Sequence, residues 1–155
     1  MEHAFPLQIS CYCAAILPPL AFITSVRCVL LRNGAVLVQE DRTTTHILPG
    51  GRREQAEAPG TTLRREVLEE TGWEIEVPRL LGFMHYHDPN PAPAGHAWPH
   101  PDFIQAVYTA RAAVLIPGAR LDDGYELSSV FLPVTEAMRL SLSARERFFL
   151  AAALA

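Results

Sequence analysis

The sequence predicts one α/β domain, and three observations carry that prediction. Short β-branched and aliphatic runs recur between turn residues, an amphipathic helical stretch interrupts them at 61–71, and an alanine- and leucine-rich helix closes the chain. At 155 residues the chain has room for one hydrophobic core and not for a second. Hydrophobic residues make up 49% and charged residues 19%, which places it among globular and not disordered sequences.

Taken in order, residues 1–20 read as an N-terminal segment packed on a domain spanning 21–155. From Ile9 to Val26 no residue is charged, but Pro18-Pro19 interrupts the run, so it reads as packed chain and not as a membrane span. Phe22 to Leu31 is a first strand, and Asn33-Gly34 turns it into a hairpin because both residues tolerate positive φ. Ala35 to Gln39 is the return strand. Ile47 to Gly51 reads as a strand stopped by proline and glycine as it enters a tight loop. Thr61 to Thr71 is a helix capped by Thr61 or Thr62, with Leu63 and Val67 on its buried stripe and Gly72 as its stop. Trp73 to Val77, Arg79 to Tyr86, Phe103 to Ala110 and Ser128 to Leu132 are further strands. Residues 87–101 hold five of the 13 prolines and three histidines and read as a long loop. Ser143-x-x-Glu146 is a capping-box pattern that starts the last helix.

Bulk charge narrows the function. The net charge of -4 argues against long nucleic-acid partners, which call for a basic surface. It is compatible with a small anionic substrate, since bound divalent cations reverse the local sign. Cys11, Cys13 and Cys28 are an odd count in a mid-sized chain, which fits free thiols in a reducing cytoplasm better than a disulfide framework. Cys11-x-Cys13 lacks the second ligand pair that a zinc site needs.

The chemistry concentrates in Gly51 to Trp73, GRREQAEAPGTTLRREVLEETGW. On the helix, Glu66, Glu69 and Glu70 fall at i, i+3 and i+4, so three carboxylates share one face and repel one another. A solvated acidic face is one reading. The other is a cation site: Leu63 and Val67 bury the opposite side, Arg65 stands four residues before Glu69 to brace it, and Gly50-Gly51 lets backbone carbonyls approach a ligand. Hard oxygen donors of this kind suit Mg²⁺, with Mn²⁺ as a substitute.

The stretch resembles the Nudix box, G-x5-E-x7-R-E-U-x-E-E-x-G-U, where U is bulky and apolar. Gly51, Glu57, Arg65, Glu66, Val67, Glu69, Glu70 and Gly72 fill its places, and Trp73 stands where an aliphatic is usual. Seven fixed residue types match a given window by chance roughly once in 10⁸, which decides against coincidence. Ala56 and Thr62-Leu63 are further small departures, and neither removes a charge.

The resemblance implies an α/β/α sandwich with a mixed sheet, and a hydrolase that cuts a diphosphate linkage in a nucleotide-like substrate. It implies Glu66, Glu69 and Glu70 as metal ligands with the Gly50 carbonyl beside them, Glu57 as an auxiliary carboxylate, and Arg65 as the residue orienting the glutamates. The proton of the attacking water would go to Glu66 or Glu69, or to a later loop where Asp122, Asp123 and Glu126 are the alternatives. Arg52 and Arg53 are either phosphate contacts or solubilising charges. Trp98, His100 and Phe103 are either stacking groups for a base or loop packing. A non-catalytic Nudix nucleotide sensor is the rival function, although such modules usually lose box glutamates that are present here. Isomerases on this fold need a cysteine and glutamate pair that this sequence does not place, and dimers are common among relatives.

Overall fold

The computed structural model describes residues 4–121 and 126–155. Its spine is the hairpin of β2 (Ile23–Arg32) and β3 (Ala35–Asp41), turned at Asn33 and Gly34 with φ of 49° and 75°. Two layers of side chains grow from β2 because alternate residues point to opposite faces. Val26, Cys28 and Leu30 meet Leu63 and Val67 of α1 (Pro59–Thr71) on one face. Val29 and its neighbours meet Phe149 and Leu150 of α3 (Ala144–Leu154) on the other. A helix layer on each side of the sheet is the α/β/α sandwich that the box implied. Leu63 and Val67 are fully buried, each contributing about 1.5–3 kcal/mol, and they hold α1 in one rotation about its axis.

The sheet is mixed. The other strands are β1 (Gln8–Cys13), β4 (Thr45–His46), β5 (Gly50–Arg52), β6 (Trp73–Ile75), β7 (Arg79–His87), β8 (Asp102–Leu115) and β9 (Glu126–Pro133). Their order is β1-β7-β8-β2-β3-β4, with β5 on β2, β6 on β8 and β9 on β3. Among the described residues only β2 and β8 pair in parallel, and β1 forms an outer edge in antiparallel register with β7 from Gln8↔His87 to Cys13↔Gly82. A short helix, α2 (Val134–Ala137), links β9 to the segment before α3. Among the described residues no helix is long and apolar enough to cross a membrane. All three cysteines are free.

Two sequence expectations are corrected. Helix α1 begins at Pro59, not Thr61, because proline at the first helical position already carries helical φ and needs no N–H partner. Ala58 precedes it without a side-chain cap, and Thr62 lies inside the helix with its hydroxyl donating to the Ala58 carbonyl. The strand expected at Ile47 lies instead on the glycines: Gly50 and Gly51 pair with Arg27 and Val26 in β5. Gly50 has φ of 152°, and a Cβ there would strike the Val26 carbonyl oxygen, so only glycine brings the backbone this close. The capping box at Ser143 forms as expected, with a further contact: Glu146 Oε1 accepts from Ile47 N at 3.0 Å and ties α3 to the approach to β5.

Candidate active site

Helix α1 and strand β5 bring the box side chains together around one guanidinium. Arg65 grips Glu57 side-on, with Nε 2.9 Å from Oε2 and Nη2 2.9 Å from Oε1. Its Nη1 donates to Glu66 Oε1 at 2.7 Å and reaches Glu69 Oε2 at 3.5 Å. The ion pair that spacing placed on Glu69 is thus the longest of the three; Glu57 and Glu66 are the main partners. A planar fork suits such multiple pairing. Hydrogen bonds from Arg65 hold the Glu57 carboxyl down at about 2, helped by Glu54 N and the Thr62 hydroxyl. Partnership with Glu57 in turn raises the Arg65 pKa.

Glycines make room for this arrangement. A Cβ on Gly51 would overlap the Glu66 carboxyl group. Gly50 N donates to Glu70 Oε2 at 3.0 Å, so Glu70 is drawn to the backbone of β5. Arg27, from the other face of β2, reaches towards the Gly50 and Leu48 carbonyls at 3.4 and 3.5 Å. With Glu66 and Glu69 turned to Arg65 and Glu70 to Gly50, no group of three His, Cys, Asp or Glu side chains among the described residues stands in an arrangement that would hold a metal ion. The donor chemistry nevertheless fits a hard divalent cation: three carboxylates within two turns of helix and a glycine carbonyl beside them.

A cleft of about 870 Å³ opens beside Glu66 and Arg65, lined also by Arg52, Arg53 and Trp98. The two arginines have different surroundings. Arg53 donates to three backbone carbonyls, Ile23 at 3.0 Å, Glu57 at 2.8 Å and Leu20 at 2.9 Å, and so fastens the box loop. Arg52 lies over the Trp98 ring, 4.6 Å from its centroid. Neither His100 nor Phe103 is among the described residues lining this cleft. His100 meets His96 edge-on, and Phe103 stacks on Tyr86 at 4.9 Å against the α3-side core. Asp122 and Asp123 lie outside the described residues. Glu126 opens β9 with its backbone opposite Asp41, and Leu121 N donates to the Glu69 carbonyl at 2.7 Å, bringing the chain before Asp122 to the last turns of α1.

A second hollow of about 330 Å³ lies on the α3 side of the sheet, where Arg27, Tyr86, Gln105 and Arg145 meet. Sequence reasoning missed Arg27, and it read Glu146 as a cap without its contact to Ile47. Arg27 was the one charge in an apolar strand, which was the available signal. The bond from Ile47 to Glu146 spans 99 residues and leaves no local pattern.

A sequence model of the NUDIX domain matches residues 21–153. With the box geometry in place, the chain belongs to the Nudix family. Over 59 residues it is 46% identical to Nucleoside diphosphate-linked moiety X motif 6 of Xenopus laevis, a match covering 36% of this chain and 27% of that protein. Among solved structures, a NUDIX hydrolase from Nitrosomonas europaea superposes with a TM-score of 0.63 at 19% identity over 84% of this chain and 87% of that one. A Bacillus subtilis pyrophosphohydrolase gives 0.64 at 18% identity over 97% and 93%. The NUDIX domain of Shewanella oneidensis NrtR, complexed with ADP ribose, gives 0.62 at 16% identity over 86% of each. At these identities the structures show a shared fold.

Proposed function

We propose that this protein is a divalent-metal-dependent hydrolase of the diphosphate bond in a nucleoside diphosphate linked to a second moiety. The observation that carries the reading is the grouping of Glu57, Glu66 and Glu69 on Arg65, with Glu70 on Gly50 N, where Arg65 and Glu66 line a cleft large enough for a nucleotide. Glu66, Glu69, Glu70 and the Gly50 carbonyl would hold the ion, with Mg²⁺ the best match and Mn²⁺ a substitute. When bound, such an ion neutralises diphosphate oxygens and acidifies water.

The chain's own groups do the rest. Arg65 fixes the direction of Glu66 and Glu69, and Glu57 anchors Arg65. Glu66 or Glu69 takes a proton from the attacking water; oxygen bonds to one phosphorus, the bridging P–O bond breaks, and the second phosphate leaves with the electron pair. Arg52 supplies positive charge along the cleft for the substrate's phosphates.

A hydrolysis screen with Mg²⁺ and Mn²⁺ tests this reading. It would cover nucleoside triphosphates, ADP-ribose, nucleotide sugars and dinucleoside polyphosphates, with Glu69→Gln as control. Metal-dependent release of two phosphate products from one class, lost in the control, is the expected result. No product anywhere, with thermal stabilisation by a nucleotide, would make the protein a binding module instead.

A further inference from the structure

We propose that β1 is a self-association edge, through which two copies of this chain join their sheets about a twofold axis. The edge pairs with β7 and packs on the α3-side core, so its test needs neither metal nor substrate.

Pairing with β7 fixes which backbone groups of β1 are already used. Ala14 N donates to the Leu81 carbonyl at 3.0 Å, and these two residues continue the β1–β7 register, so they form a hydrogen-bonded pair. Such pairs alternate along an antiparallel ladder, which gives Tyr12, Ser10 and Gln8 to β7. The N–H and C=O groups of Ile9, Cys11 and Cys13 therefore point off the sheet, beyond its last strand among the described residues. Proteins ordinarily blunt such an edge with lysine, proline or a bulge. Gln8–Cys13 contains neither lysine nor proline and pairs with β7 without a bulge, and no residue from Ala4 to Val26 is charged. On the strand or close to it, Phe5, Leu7, Tyr12 and Ile16 leave large apolar side chains exposed.

The open groups are complementary to themselves, which is why a second copy is the occupant. An antiparallel alignment centred on Cys11 sets it opposite the partner's Cys11, and sets Ile9 opposite the partner's Cys13. The three residues with outward groups then meet only one another, and each facing pair exchanges two hydrogen bonds. Facing residues also share a side of the sheet, so Ile9 and Cys11 stay with the α3-side core in both copies. A twofold axis sets the same patch against itself, so a charged strand would repel its copy. This strand carries no charge to do so.

Sedimentation velocity over a wide concentration range tests the edge, and oxidative cross-linking tests the register. A hydrogen-bonded pair has a Cα separation of about 5.5 Å, within the span of a disulfide. The expected result is a reversible monomer–dimer equilibrium in wild type. Diamide, which takes up the two thiol hydrogens, should give a disulfide dimer in Cys13→Ser but not in Cys11→Ser. Cys13→Pro removes an N–H that β7 does not use, and Ser10→Lys places ammonium groups near the axis. Each should weaken association by about tenfold or more, with circular dichroism as in wild type. A wild type that stays monomeric into the millimolar range overturns the proposal, as does an open series of oligomers. So does dimerisation kept at wild-type strength in a folded variant, or a dimer that does not cross-link through Cys11.

Discussion

The two walls of the cleft are held by different means. On the α1 side, Arg53 and Arg65 together donate to four backbone carbonyls and three carboxylates. On the opposite side, Trp98 rides on a proline-rich loop fastened by Asp88 and Asn90 at its foot and by Arg52 at the ring. The first wall is cross-braced and cannot shift one carboxylate without disturbing the others. The second has few contacts and a low cost of local movement. Chemistry needs groups fixed in direction, whereas recognition of one substrate among many tolerates an adaptable surface. The contrast gives each wall its own mutational signature.

The largest effect is expected on the braced wall. Glu69→Gln and Glu70→Gln should each lower kcat by about two orders of magnitude or more, with melting temperatures close to wild type. Activity near wild type in either variant would take that residue out of the mechanism. Gly51→Ala comes next: its methyl displaces the Glu66 carboxyl group, so kcat should fall by about tenfold or more through loss of orientation. An unchanged rate there would mean that the position of Glu66 is unimportant.

Arg65→Gln addresses the brace itself and should cost about 2–3 kcal/mol in urea unfolding, since it strips charged partners from a half-buried network. The pH dependence sharpens the point. The folded Glu57 pKa of about 2 lies below its ordinary 4.5, so the pair's stabilisation is complete above pH 4.5 and fades as pH falls towards 2. In Arg65→Gln that part of the stability–pH curve should flatten, and a curve parallel to wild type would place the acid sensitivity elsewhere.

On the adaptable wall the smallest effects are expected. Trp98→Ala should change stability by less than about 0.5 kcal/mol, as for an exposed side chain. It should raise KM for base-containing diphosphates while leaving kcat nearly alone. A fall in kcat with unchanged KM would join the two walls into one unit.

The same division explains what the sequence disclosed. The box helix was legible because its chemistry is local: Glu66, Glu69, Glu70 and the buried Leu63 and Val67 follow helical spacing, and Asn33-Gly34 and Ser143-x-x-Glu146 are turn and cap signals within four residues. The start of α1 was misplaced because Thr61 and Thr62 look like caps, whereas Pro59 provides the helical φ without one. The contacts that assemble the site were not legible. Arg53 meets Ile23 and Leu20 across 30 and 33 residues, Glu146 meets Ile47 across 99, and the loop meets Phe5 across 85. Such contacts are set by sheet order, in which β5 and β8 both flank β2, and no periodicity records it.

In the proposed reaction the carboxylates of α1 work through a divalent ion on a diphosphate. The most direct measurement is a Mg²⁺ titration of hydrolysis for the best substrate, run side by side on wild type and Glu70→Gln, with a chelator as the zero point. The expected outcome is no turnover in chelator, saturable activation of wild type, and a variant that is far slower and needs much more Mg²⁺. Equal rates with and without metal, or superimposable Mg²⁺ curves for the two proteins, would contradict it.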